Sequence, residues 1–173
     1  SRSAGLMFIS TTVQQEEAEE TMMTSYGFNL KSKARFLKGP IGAMFRDLVL
    51  SAGIDPDADC FYTAVCRWLL PRQHRTKPKR EDIEWGKEML FAEILEVQPR
   101  IIVCIGKPVF DLLSGIKLSQ GDIEGGFFPC EQFNCILYFM PDLYRLRSKP
   151  EQYERFRIDM VQVRSMFDDA RGL

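Results

Sequence analysis

The run Arg100-Ile101-Ile102-Val103-Cys104-Ile105-Gly106-Lys107-Pro108-Val109-Phe110 constrains the fold most. A short β-branched stretch between helix-like segments, ended by Gly before a new helix start, reads as a central parallel strand with its loop at the carboxyl end. Open α/β sheets place their sites at such strand ends. Residues 6–10, 59–65 and 135–139 read as three more strands. Residues 40–52 carry Ile41, Met44, Phe45, Leu48 and Val49 at helical spacing, with Gly53 at the usual stop. Further helices are expected over 80–96, 107–113 and 152–167, and a turn region over 121–126. Arg80-Glu81-Asp82 opens the first of these with acids in its first turn, as the helix dipole favours. Strands alternating with helices predict an α/β fold, a three-layer sandwich around a mainly parallel four-stranded sheet.

The length of 173 residues predicts a single domain over 1–173, large enough to bury a full core. Net charge is −1, so any polyanion partner must be held by a local patch rather than by a global field. Cys60, Cys66, Cys104, Cys130 and Cys135 are odd in number and show no C-x-x-C spacing. They read as reduced core thiols of an intracellular protein, and neither a metal site nor a cofactor is expected from them. The apolar runs are too short to span a bilayer, and no signal peptide is evident. The opening Ser1-Arg2-Ser3 reads as an expression scar or as an internal domain start.

One dense basic segment lies between the second and third strands. Residues 67–80 hold six Lys/Arg and no acid. Arg72, Arg75, Lys77, Lys79 and Arg80 suit phosphate contacts, although a solvated charged loop has the same composition. His74, the lone histidine, has no partner near in sequence, which favours a surface or phosphate-contacting role over catalysis. Gln14, Gln15 and Glu16 follow the first strand, where one side chain can orient a water, but the crowding of acids there also fits a solvated helix start. Phe36 precedes Gly39-Pro40-Ile41-Gly42. A loop aromatic stacks a base for about 1–3 kcal/mol, and packing beneath the loop is the commoner role. Gly39 and Gly42 permit close approach of backbone to phosphate at a helix start.

These pieces stand in a recognisable order. Phe36 to Gly42 is followed by Leu50-Ser51-Ala52-Gly53-Ile54, then Phe61-Tyr62-Thr63-Ala64-Val65-Cys66-Arg67. Next come the basic stretch from Arg72 to Ile83, the strand from Gln98 to Gly106, Tyr138-Phe139-Met140-Pro141, and Leu143-Tyr144-Arg145-Leu146-Arg147. The order resembles the uracil-DNA glycosylase superfamily, nearest the branch that carries an iron–sulfur cluster. The resemblance implies that family's fold, a base pocket near Phe36, Ala64 and Met140, and nucleic-acid contacts from Gly39, Gly42, the basic loop and Arg145.

The departures from the family fall on its chemistry. Ser10-Thr11-Thr12-Val13-Gln14 stands in the water-activating loop, which leaves Gln14, Gln15 or Glu16 as the catalytic candidates. Ala64 replaces the Asn that reads the base edge, and Met140 replaces the His that stabilises the leaving base. The cluster cysteines are absent, with Trp85 or Gly86 near one expected position. The resemblance therefore implies a DNA-binding domain, on single or double strands, that acts in replication or repair without ordinary uracil excision. A replication or repair protein is the expected partner, and a viral setting fits. Two other readings stay open: an active glycosylase for an unusual or modified base, and a protein-interaction scaffold without DNA binding.

Overall fold

The computed structural model describes residues 5–12, 39–66, 78–170 and 172. Among them, β1 (Leu6–Thr12), β2 (Cys60–Cys66), β3 (Ile101–Ile105), β4 (Phe127–Cys130) and β5 (Cys135–Met140) form one sheet. The helices are α1 (Gly39–Ser51), α2 (Arg80–Val97), α3 (Lys107–Ser114), α4 (Gln120–Ile123), α5 (Arg145–Ser148) and α6 (Tyr153–Ala170). No helix among the described residues is long and apolar enough to cross a membrane.

The strand order is β2-β1-β3-β5-β4. β2, β1, β3 and β5 are parallel, and β4 runs antiparallel along β5. Every residue of β3 is buried, which is why that strand reads as an unbroken apolar run. Alternate strand residues point to opposite layers. Leu6, Phe8, Tyr62, Ile101, Val103 and Tyr138 face α1 and α6, where Phe45, Leu48, Phe156 and Met160 meet them. Met7, Ile9, Ile102, Cys104, Leu137 and Phe139 face α2 and α3, against Leu90, Ile94, Val109 and Phe110. Right-handed crossovers require this split. The chain winds one way from β1 to β2 through α1, then back past β1 to β3 through α2, so the two helices must cover opposite faces.

The sheet has five strands rather than the four expected. The additional strand is β4, and Pro129 conceals it in the sequence. Proline cannot donate to a ladder, so it is tolerated only where the strand lies at an edge. The turn region expected over 121–126 also begins as helix: α4 forms one turn, capped by the Ser119 hydroxyl accepting from the Asp122 amide at 3.3 Å.

Two buried polar links tie the layers together. The Thr63 hydroxyl donates to Glu93 Oε1 at 2.8 Å, joining β2 to α2. The Tyr138 hydroxyl donates to Asp159 Oδ1 at 2.5 Å, joining β5 to α6, with the Arg155 guanidinium 3.3 Å from the same oxygen. Burial nevertheless raises the Asp159 carboxyl above its ordinary range.

Candidate functional site

The winding reverses between β1 and β3, so their carboxyl ends frame the crevice where open α/β sheets bind ligands. Gly106 sits at the centre of that crevice. Its φ of 99° suits glycine, and its N–H donates to the Met140 carbonyl at 2.8 Å. A Cβ at Gly106 would lie 2.8 Å from Thr11 Oγ1 and 2.9 Å from Asp142 Oδ1. Glycine therefore allows a hydroxyl from the end of β1 and a carboxylate from just beyond β5 to converge on the start of α3.

Asp142 is the notable charge here. Its side chain is half-buried and makes no hydrogen bond within the described residues. Burial raises its carboxyl above the ordinary range, while Arg145 acts in the opposite direction. The unfolded chain then ionises at lower pH than the folded one. The contribution of Asp142 to stability is fully present below its unfolded pKa and is lost as pH rises through the folded value. Asp142→Asn is accordingly expected to raise the thermal midpoint at pH 7 and to leave it unchanged near pH 3. An equal shift at both pH values would show that the effect is not ionisation.

Beside this carboxylate lies a cavity of about 20 Å³, lined by Phe8, Ser10, Phe45, Tyr62, Thr63, Ile105 and Leu143. It has room for about one water. Its floor is aromatic: Tyr62 stacks on Phe8 at 5.3 Å, and Phe45 meets Phe8 edge-on at 5.1 Å. The Tyr62 hydroxyl is buried with them.

Strand register places Ala64 opposite Ser10, Ser10 opposite Ile105, and Ile105 opposite Met140. These four side chains form a single row across the parallel strands at the level of the cavity. Ala64 and Met140 are its two ends, and both are fully buried. Serine is the row's only hydrogen-bonding side chain, and none of the four can ionise.

The cationic candidates occupy the rim. Lys79 and Arg80 are exposed at the start of α2. That start is held by the Asp82 carboxylate, which accepts from the Lys79 amide at 2.8 Å, and by the Cys66 thiol on the Asp82 carbonyl. Arg145 is half-buried beside Asp142, and Gly39 and Gly42 lie in the first turn of α1. Gln14, Gln15, Glu16, Phe36, Arg72, His74, Arg75 and Lys77 lie outside the described residues. Thr11, Gly106 and Asp142 were not among the candidate site residues, although Gly106 ends the central run and Thr11 stands in the first loop segment. Their only signal was position, each at or just past the carboxyl end of a strand.

The cysteines do not fit an iron–sulfur cluster. Cys60 lies in the core under α1, and the other four lie in the opposite core. Burial pushes the Cys66 and Cys135 thiols up to about 12, whereas a metal ligand needs a thiolate. Among the described residues, no three His, Cys, Asp or Glu side chains converge as a metal site.

Residues 3–160 match the family model of the Uracil DNA glycosylase superfamily. The chain belongs to that superfamily. The α/β sheet and its switch-point crevice are thus a uracil-DNA glycosylase fold. A DNA polymerase of Bacillus phage SP01 is 28% identical over 130 residues, spanning 67% of this chain and 14% of that polymerase. The uracil-DNA glycosylase-like chain thus corresponds to well under two thirds of that relative's length.

Proposed function

We propose that this chain is a single DNA-binding domain of uracil-DNA glycosylase type that works in replication or repair without ordinary uracil excision. The observation that carries this reading is the row Ala64–Ser10–Ile105–Met140. Cleaving the bond to uracil requires stabilising a sugar cation and an anionic base. Neither end of the row can donate to a base edge or to a leaving oxygen. The match to a phage DNA polymerase supports a replication setting.

DNA is held, in this reading, by Lys79, Arg80 and Arg145 together with Arg72, Arg75, Lys77 and His74, with the backbone at Gly39 and Gly42 approaching a phosphate. Because net charge is only −1, affinity rests on these local contacts. Each phosphate neutralised on duplex DNA contributes about 0.9 to the slope of log affinity against log salt. Alanine at both Arg75 and Lys77 is expected to lower that slope by about two and to weaken all sequences alike. Fluorescence anisotropy across a salt series measures both. If the wild type fails to bind even at low salt, the nucleic-acid reading fails and a protein scaffold takes its place.

A second reading is favoured by Asp142. A desolvated carboxylate beside the crevice can orient a water toward a sugar carbon. That role would suit an active glycosylase for a modified base, with Phe36 stacking the base and Gln14, Gln15 or Glu16 assisting. Its test is a panel of duplexes carrying modified bases, with Asp142→Asn as the inactive control.

A further inference from the structure

Helix α2 is apolar on two faces. Leu90, Ile94 and Val97 are buried toward the sheet. Trp85, Met89 and Leu95 point outward, 80%, 54% and 62% exposed, with exposed Ala92 between them. Trp85, Met89 and Ala92 follow i, i+4, i+7 spacing and so form one stripe, with Leu95 on its flank. The helix cannot easily roll to bury them. At Gly86 it lies directly on the backbone of β2, where a Cβ would come within 2.1 Å of the Val65 carbonyl oxygen. A helix with apolar stripes on both faces is ordinarily covered on both, and Trp and Met are enriched at protein interfaces.

The charges around the stripe identify what covers it. Glu81, Glu84, Glu88 and Glu96 are exposed around it, and none pairs with a cation among the described residues. The one basic residue between them, Lys87, folds back over the Phe91 ring at 5.6 Å. An acidic rim repels the phosphate backbone, so the stripe is not a nucleic-acid surface. It complements a polypeptide that offers apolar anchors flanked by Lys and Arg.

We propose that the outer face of α2 docks a basic amphipathic helix of a partner protein, with Trp85 as its central anchor. Lys79 and Arg80 begin the same helix, so a partner seated on the stripe lies beside DNA held at the rim. The docking face itself does not depend on the DNA-binding reading.

The test uses a synthetic Leu/Lys amphipathic helical peptide and a Leu/Glu peptide of the same pattern. The chain has two tryptophans, so in a Trp68→Phe background Trp85 is the sole reporter. The Leu/Lys peptide is expected to shift Trp85 emission to the blue and to saturate, and the Leu/Glu peptide to do neither. Measured by anisotropy of labelled peptide, Trp85→Ala and the pair Glu84→Lys with Glu88→Lys should each weaken binding about tenfold or more. Circular dichroism should be unchanged in these surface variants, and so should the DNA affinity of Trp85→Ala. Equal binding of the two peptides, binding of neither, or indifference to the charge reversal would overturn the proposal. So would self-association by sedimentation that Trp85→Ala abolishes, which would assign the face to a second copy. Loss of DNA affinity in Trp85→Ala would assign it to nucleic acid.

Discussion

Single- and double-stranded DNA carrying uracil is expected to remain uncut at uracil after incubation with an excess of this protein and treatment with alkali. The reason is the pair of side chains that end the central row. A positioned donor aimed at developing charge is worth about 3–4 kcal/mol, or about 10²–10³ in rate. Met140 offers a thioether at the position where the resemblance implies a histidine, and Ala64 offers a methyl where it implies an amide. Both are fully buried, so neither position can hold a bulk water in place of the missing group. Loss of both donors is expected to lower ordinary excision by about 10⁴-fold or more. Cleavage at uracil that rises in proportion to protein would overturn this and move the chain among the active members of its superfamily.

The substitution expected to destabilise the fold most is Gly86→Ala. In an exposed helix interior the same change gains about 1 kcal/mol through propensity. Here the new Cβ would sit 2.1 Å from the Val65 carbonyl oxygen and 3.0 Å from its carbon. Both atoms belong to the backbone of β2, so no side chain can swing aside. The helix must lift from the sheet, loosening Leu90 and Ile94 beneath it. Overpacking of this kind costs about 1–3 kcal/mol, and a backbone clash belongs at the upper end. A net loss of about 2 kcal/mol is expected, read as a lower urea midpoint with unchanged slope. Gly121→Ala is the control: nothing lies within 4 Å of its Cβ, and it is expected to be neutral or stabilising by up to about 1 kcal/mol. Wild-type stability in Gly86→Ala would mean that α2 does not rest on β2, and the outward presentation of Trp85 would lose its basis.

The parallel strands were legible because burial on both faces demands continuous apolar runs, as in Ile101–Ile105. β4 was not, because an edge strand tolerates Pro129 and presents only half its face to the core. The candidate site was legible only in motif order, which proposes Ala64 and Met140 for it. It was hidden where it depends on residues distant in sequence, as when Thr11 and Asp142 meet at Gly106.

By itself, then, the sequence determined the layers, the alternation of strand and helix, and the family, since periodicity and motif order are local properties. Only the tertiary structure decided the strand order, and with it the reversal between β1 and β3 that makes a crevice. Only it decided that Asp142 is partly desolvated while Arg145 stays near, because desolvation depends on what packs around a group. The outward turn of Trp85 was likewise a tertiary outcome. A helix with two apolar stripes can bury either one, and the bare backbone contact at Gly86 selects the face that carries Leu90 and Ile94.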